Sequence, residues 1–591
     1  MDENVRVRYL RMFSNSVAVG ALATCYVLLV FWQLNPHLRL EAGDLLPLVA
    51  VVGPYYLLTL TAVCYVLLVV RQLLGRDPVS PGWVSVRLLT ALSTLAAASG
   101  AVLTWVNIRS FALVLHPEVV RAMTITALTF ALAAVAFLLT ALWHRRADPA
   151  HRSLRALALA ALAATSVAVP VAVTEERREA ADAAPIVHNA EARQLPQADR
   201  TANVTILAVD AGSLEIVTSA AAEGRLPNFG RLLDSGSVMD LATLRPTAVE
   251  SVWTAVATGK LPQKNGIHSP ALYRLGGSGR VLRLLPDFTF ANGLVRFGFV
   301  FAEGHTSASI AARTIWSILN THGVSVGVVN WPLTYPAPAV RGFVVTDMQV
   351  RLAMSPLAVE APRLLHPPQV RNRALALIRD ATYLPDVVSP LPGPLFTERH
   401  RLPARIDRIH GQLAENLRAG APPQVTMVRY ESLDPIGHDF LRYTMPLSFG
   451  NVTEDDRRRY GSILESHYGI VDDAIGRAID RLGPNDLLLV VSGYGMEPLS
   501  TGKRLVEQII GDPEISGTHE NAPDGFLMAY GARVEPSRHL TRASIVDVVP
   551  TVLYFLGLPV ARDMDGFART ALFKPEFTSE RPITYIPSYE R

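Results

Sequence analysis

Cysteine is almost missing. Cys25 and Cys64 are the only two in 591 residues, and both lie inside apolar runs. No disulfide framework is therefore available to the rest of the chain, and cysteine usage leaves the compartment open. Charge is scarce as well: 18% of residues are charged, and 55 basic against 52 acidic residues leave a net charge of +3. The basic residues are dispersed and form no stripe interleaved with aromatics, so nucleic acid is not among the expected partners. What is abundant is apolar sequence, half of all residues, with the excess gathered in roughly the first third. A chain of this length exceeds one ordinary core, so at least two structural units are expected.

Five apolar segments have about the 20 residues needed to cross a bilayer. They run approximately from Phe13 to Leu34, Leu45 to Val70, Val84 to Ile108, Met123 to Trp143 and Leu154 to Val173. The first is too long, and too closely followed by others, for a cleavable signal peptide. Arginines mark alternate loops: Arg6, Arg8 and Arg11 precede the first segment, Arg71 and Arg76 follow the second, and Arg145, Arg146, Arg152 and Arg155 crowd the loop before the fifth. The other loops carry only Arg39, Arg109 and Arg121. The positive-inside rule then predicts a multi-pass cell-membrane protein whose N-terminus is cytoplasmic and whose C-terminal part is periplasmic or extracellular. The expected division is a membrane domain over 1–174, held in the lipid bilayer by its helices, a juxtamembrane linker over 175–202, and an extracytoplasmic domain over 203–591.

From Val204 the pattern changes. Val204 to Val209, Val324 to Val329, Val425 to Tyr430 and Asp486 to Ser492 read as strands buried on both faces, with helical stretches such as Ala311 to Leu319 and Tyr460 to Leu482 between them. The fold class is therefore a helical membrane anchor plus an α/β domain, its central sheet mostly parallel and flanked by helices. Ligands of such sheets bind at the carboxyl ends of the strands. The Pro- and Leu-rich stretch 355–403 has no clear period and reads as a cap or insertion.

Polar residues at those strand ends come next. Asp210 closes the first strand, a position where an Asp also commonly caps the following helix. Pro246-Thr247 opens a helical stretch, which puts a hydroxyl in the positive potential that also welcomes phosphate. After the third strand stands Leu433-Asp434-Pro435-Ile436-Gly437-His438, whose Asp and His converge on one cation if the segment is helical. His519 precedes the apolar run Gly525 to Tyr530. Trp331 and Tyr335 follow the second strand, positions suited either to a pocket mouth or to the core.

In their order along the chain, Asp210, the Thr258-Gly259-Lys260-x-Pro262 stretch, Leu433-Asp434-x-x-Gly437-His438, His519, and Asp547-Val-Val-Pro-Thr551 followed by Asp563-Met-Asp-Gly566 resemble the type I phosphodiesterase and nucleotide pyrophosphatase branch of the alkaline phosphatase superfamily. The resemblance spans about Val204 to Phe573. It implies a phosphoester substrate, a Thr or Ser nucleophile and divalent metal, typically two zinc ions about 4 Å apart. One metal is held in that family by an Asp and two His, matching Asp434, His438 and His519. The other is held by the first-strand Asp, here Asp210, by the nucleophile, and by the Asp and His of Ser-Asp-His-Gly.

The chain departs from the family at two points. That last motif reads Ser492-Gly493-Tyr494-Gly495, without either ligand, and Glu250 and Glu497 are the carboxylates near enough in sequence to substitute. The family's nucleophile spacing lands on Val249. Thr247 and Ser251 lie two residues to either side, and Thr247 is preferred because it opens the helix. Asn265-Gly266-Ile267 likewise replaces His-Gly-Ile. The resemblance implies a phosphoester hydrolase using Thr247 with one or two zinc ions. It also accommodates a transferase of phospho-headgroups onto an envelope lipid or glycan, which five spans favour, and a non-catalytic binder of a phosphorylated ligand or partner, which the lost ligands favour.

Overall fold

The computed structural model describes residues 3–74, 81–146, 152–182, 198–353, 363–381, 395–445, 448–449, 452–510 and 514–590. Two compact units result, one made of 1–188 with 271–304 and one made of 189–270 with 305–591.

In the first unit five helices are long and apolar enough to cross a membrane: α1 (Glu3–Leu34), α2 (Ala42–Leu74), α3 (Val86–Phe111), α4 (Pro117–Arg146) and α5 (Arg152–Asp182). All five segments expected from hydropathy are present. Lipid offers no hydrophobic drive for helices to associate, so polar pairs and small residues must do it. Gln33 of α1 donates to Thr126 Oγ1 of α4 at 2.7 Å and to Thr174 Oγ1 of α5 at 2.8 Å, and the Tyr26 and Ser166 hydroxyls meet at 2.8 Å. α5 continues to Asp182, so the start of the expected linker is helical, while 183–197 fall outside the described residues. Residues 271–304, which the sequence reading placed in the α/β domain, group instead with these helices. They form a three-stranded antiparallel sheet in which Ala271–Leu275 lies between Val281–Leu282 and Val300–Gly304.

The second unit is built on a nine-stranded sheet. Its order is Arg538–Ser544, Ser237–Ala242, Asp524–Tyr530, Leu487–Tyr494, Val204–Val209, Val425–Tyr430, Val326–Val329, Gly342–Val345 and Leu365–His366. The four strands legible in the sequence are the four consecutive central ones, all parallel. Their residues are almost wholly buried, because helices cover both faces. Asp524–Tyr530 runs antiparallel to both neighbours. Of the expected cap, the described residues give Leu365–His366 at the sheet edge, the helix Arg371–Ala381, and the first turns of the helix Glu398–Arg418 on which it packs.

One core residue makes stability pH-dependent. His467, on the helix Ile463–Ile479, is fully buried with neither ring nitrogen hydrogen-bonded. Burial pushes its pKa down to about 3 from 6.5. The unfolded chain takes up a proton below pH 6.5 that the folded one refuses, so the stability present above that pH is lost as pH falls toward 3. His467→Phe is expected to flatten this acid limb by on the order of 3 kcal/mol, read as denaturant midpoints at pH 7 and pH 4.

Candidate metal centre

Three strand ends converge at the carboxyl edge of the sheet: Val204–Val209 delivers Asp210, Val425–Tyr430 leads into the helix Leu433–Thr444, and Leu487–Tyr494 ends on Tyr494. The helix start is fixed from below by Asp407, which is buried and accepts the backbone N–H groups of Glu431 at 2.8 Å and Ser432 at 2.9 Å. Burial and the nearby Glu431 carboxylate push Asp407 up to about 7. Asp434 and His438 lie one turn apart on this helix and share a face. His519 reaches them from the loop after the short strand Gly517–Thr518.

Two glycines allow that approach. A Cβ on Gly517 would sit 2.4 Å from the Gly437 carbonyl, and one on Gly437 would sit 2.3 Å from Met496 Sδ. Only with both side chains absent does the loop come close enough for His438 Nδ1 to donate to the Gly517 carbonyl at 2.9 Å. His519 Nδ1 likewise donates to the Thr247 carbonyl at 3.2 Å. A carbonyl only accepts, so each imidazole carries a proton on Nδ1 and turns Nε2 inward. His519 Nε2 then lies 3.3 Å from Asp434 Oδ1 and His438 Nε2 lies 4.0 Å from Oδ2. With both rings neutral, as metal ligation requires, two lone pairs and a carboxylate would face one point. One ligand atom from each of the three residues lies within 4.8 Å of the others, and this is the only such group among the described residues. The donor set of one carboxylate and two imidazoles suits zinc and leaves a position open.

Asp210 does not join them. Its Oδ1 accepts from Trp253 Nε1 at 2.7 Å and Arg429 Nε at 2.9 Å, and its Oδ2 accepts from Arg429 Nη2 at 2.5 Å. Burial pushes this carboxyl up, and the guanidinium pulls against that shift. Arg429 also donates to Glu431 at 3.3 Å, and Asn330 and Arg351 complete the ring around Glu431. The cation beside Asp210 is thus a side chain of the protein. Nor does the Ser492 motif have room for the ligand it lacks: a Cβ at Gly493 would lie 2.5 Å from Val252 Cγ1. Tyr494 is buried and held well above its usual pKa, first by burial and then by the Asp210 and Asp434 carboxylates. It keeps its proton and donates to Asp434 Oδ1 at 3.3 Å. The residues present do not fit a second metal at this position.

Thr247 is buried beside His519 and donates its hydroxyl to the Leu244 carbonyl at 2.7 Å. Ser251 lies on the helix Val249–Thr258, buried, with an unpartnered hydroxyl. The helix begins at Val249 with Ala248 as its N-cap, so Thr247 stands just before it and does not open it as the sequence suggests. Glu250 is raised by burial and feels Arg429 and Asp210, and neither it nor Glu497 belongs to the ligand cluster. Trp331 takes the core alternative: it is fully buried and donates to the Trp253 carbonyl at 3.3 Å. Asp547 bonds Arg569 and the Phe567 N–H, while Asp563 and Asp565 hold Lys260 and Lys264. These contacts tie the closing segment to the C-terminal end of the helix Val249–Thr258 and the turn after it.

The sequence model of type I phosphodiesterase / nucleotide pyrophosphatase matches residues 204–547. The chain belongs to that family. Among curated proteins none matches it. The family, a branch of the alkaline phosphatase superfamily, is in general one of divalent-metal-dependent phosphoester hydrolases. Against it, the residue that sequence reasoning overlooked is Arg429. An Arg inside the otherwise apolar strand Val425–Tyr430 was the available signal, since a cation buried in a sheet needs a counter-charge. Its cross-strand partner is Ala208, two residues before Asp210 on the same face.

Proposed function

We propose that the chain is a phosphoester hydrolase that works outside the cytoplasm with one divalent cation, held by Asp434, His438 and His519, and with Thr247 as nucleophile. The observation that carries the reading is the pair of inward Nε2 atoms around Asp434, one of them on an imidazole anchored to the Thr247 carbonyl. A divalent ion there supplies Lewis acidity toward a phosphoryl oxygen. Thr247 Oγ1 forms the bond to phosphorus as the ester P–O bond breaks, and its proton passes to the departing alkoxide, which leaves as the alcohol. Water then releases the phosphoryl-threonine.

A second reading is favoured by one observation, the occupation of Asp210 by Arg429: the site binds a phosphorylated ligand without turning it over. Thr247→Ala separates the two. Under the first, hydrolysis of a generic phosphodiester by the full-length protein with zinc or manganese falls by at least about 1,000-fold while metal content stays unchanged. Wild type that binds metal but gives no turnover leaves the binding reading. Phosphate label appearing on a lipid or glycan acceptor, lost in Thr247→Ala, moves the reaction class to transfer.

A further inference from the structure

Five phenylalanines crowd into residues 288–301, and all five are exposed, although Phe297 and Phe299 also flank the Tyr55 ring of α2. Phe288 is 71% exposed, Phe290 87%, Phe297 68% and Phe301 53%, with Phe299 also exposed. Soluble surfaces rarely gather so many large apolar side chains in one place. Phe288 and Phe290 both have positive φ, near +58°, a costly conformation for a bulky residue that persists only where neighbours enforce it. The neighbours are helix residues. Asn107 of α3 clamps Asp287, accepting its N–H at 2.8 Å and donating to its carbonyl at 3.1 Å. From α2, Tyr56 donates to the Thr289 carbonyl at 3.2 Å and Tyr55 to the Phe290 carbonyl at 3.3 Å. Asn35, just beyond α1, accepts from Arg283 at 2.6 Å and Leu284 at 3.0 Å.

Those anchors share a level. A span takes about 20 residues. Counted from the arginines at the opposite helix ends, Arg11, Arg71 and Arg87, the apolar layer ends near Phe31 on α1, Val51 on α2 and Asn107 on α3. Each anchor falls within about five residues of its helix's boundary, or about 8 Å along the axis. Phe288 goes deeper. It lines an apolar groove of about 610 Å³ with Val27, Leu60, Leu103 and Val106, all on the membrane side of that boundary. On the sheet face that carries Phe301, Arg274 lies opposite that ring and pairs with Glu303 at 2.6 Å, so this face is polar.

We propose that residues 271–304 are an interfacial element that lays Phe288, Phe290 and Phe297 into the headgroup–acyl boundary of the leaflet at the C-terminal end of α1. The partner is the lipid bilayer itself, and the chain thereby touches it through a segment inserted in the family domain as well as through its spans. Aromatic rings favour this layer because one part of it is apolar and the other wet. The inference does not depend on which side of the membrane that end occupies, nor on any catalytic reading.

The test uses full-length protein in phosphatidylcholine nanodiscs, with Cys25 and Cys64 replaced by Ala. Single Phe290→Cys, Phe297→Cys and Glu303→Cys variants carry an environment-sensitive fluorophore, and lipids bearing a nitroxide high on the acyl chain serve as quencher. Quenching at 290 and 297 is expected to exceed that at 303 by about threefold or more, as for side chains buried about 5–10 Å into the boundary. Both phenylalanines are exposed, so neither cysteine disturbs the core, and the two sites check each other. Equal quenching at all three positions overturns the proposal. Disulfide cross-linking between two copies through 290, with no lipid quenching, assigns the face to a second chain and overturns it too.

Discussion

Asp434→Ala is expected to strip the protein of bound divalent cation. Wild-type chain in detergent should hold about one zinc ion, and the variant's affinity should fall by more than about 100-fold, beyond the cost of losing a supporting hydrogen bond alone. Asp434 is the only anionic member of the cluster, so without it two neutral imidazoles are left to hold a dication. Neither ring can turn to compensate, because the Gly517 and Thr247 carbonyls hold both Nδ1 atoms. Elemental analysis after gel filtration, with a competition titration, measures the effect. Tyr494→Phe is the control: it removes only a 3.3 Å donor to Asp434 and should change affinity by about 10-fold at most. A wild-type protein without stoichiometric metal, or an Asp434→Ala protein that retains it, would sink the proposed centre.

The second large effect is on folding. Arg429→Met leaves Asp210 buried without its bidentate partner and Glu431 without one of its donors. Breaking such a buried pair from one side costs about 3–5 kcal/mol, much of it the penalty of the stranded charge. Removing both charges together in Arg429→Met with Asp210→Asn should recover most of that loss, and the double-mutant cycle measures the coupling. Arg429→Lys should not rescue, since an ammonium cannot span both carboxylate oxygens as the planar fork does. Denaturant midpoints of the full-length protein read all three. Metal content gives an independent check. If the vacated space became a second metal site, Arg429→Met would bind two ions per chain. The expected number stays at one, because Gly493 offers no ligand and Val252 fills the space where one would stand.

The centre was legible in the sequence to the extent that its residues carry chemistry in a recognisable order. Asp434, His438 and His519 were picked out by type, spacing and family pattern, and the structure brings these three together. Asp210 was picked out by the same reasoning and is drawn to a different partner, because Arg429, hidden in an apolar strand, lies beside it across the sheet. The 271–304 segment was missed for a related reason. Its strands are short and its phenylalanines follow no period, so nothing local shows that its partners are Asn35, Tyr55 and Asn107.

By itself the sequence determined what repeats along one dimension. Five apolar runs became five helices, and four continuous β-branched runs became the four central parallel strands, since hydrophobic length and periodicity act locally and survive any tertiary arrangement. Only the tertiary structure decided which charges meet. A buried carboxylate takes whichever cation lies within about 3 Å of it, and that contact joins residues 219 positions apart in Asp210 and Arg429.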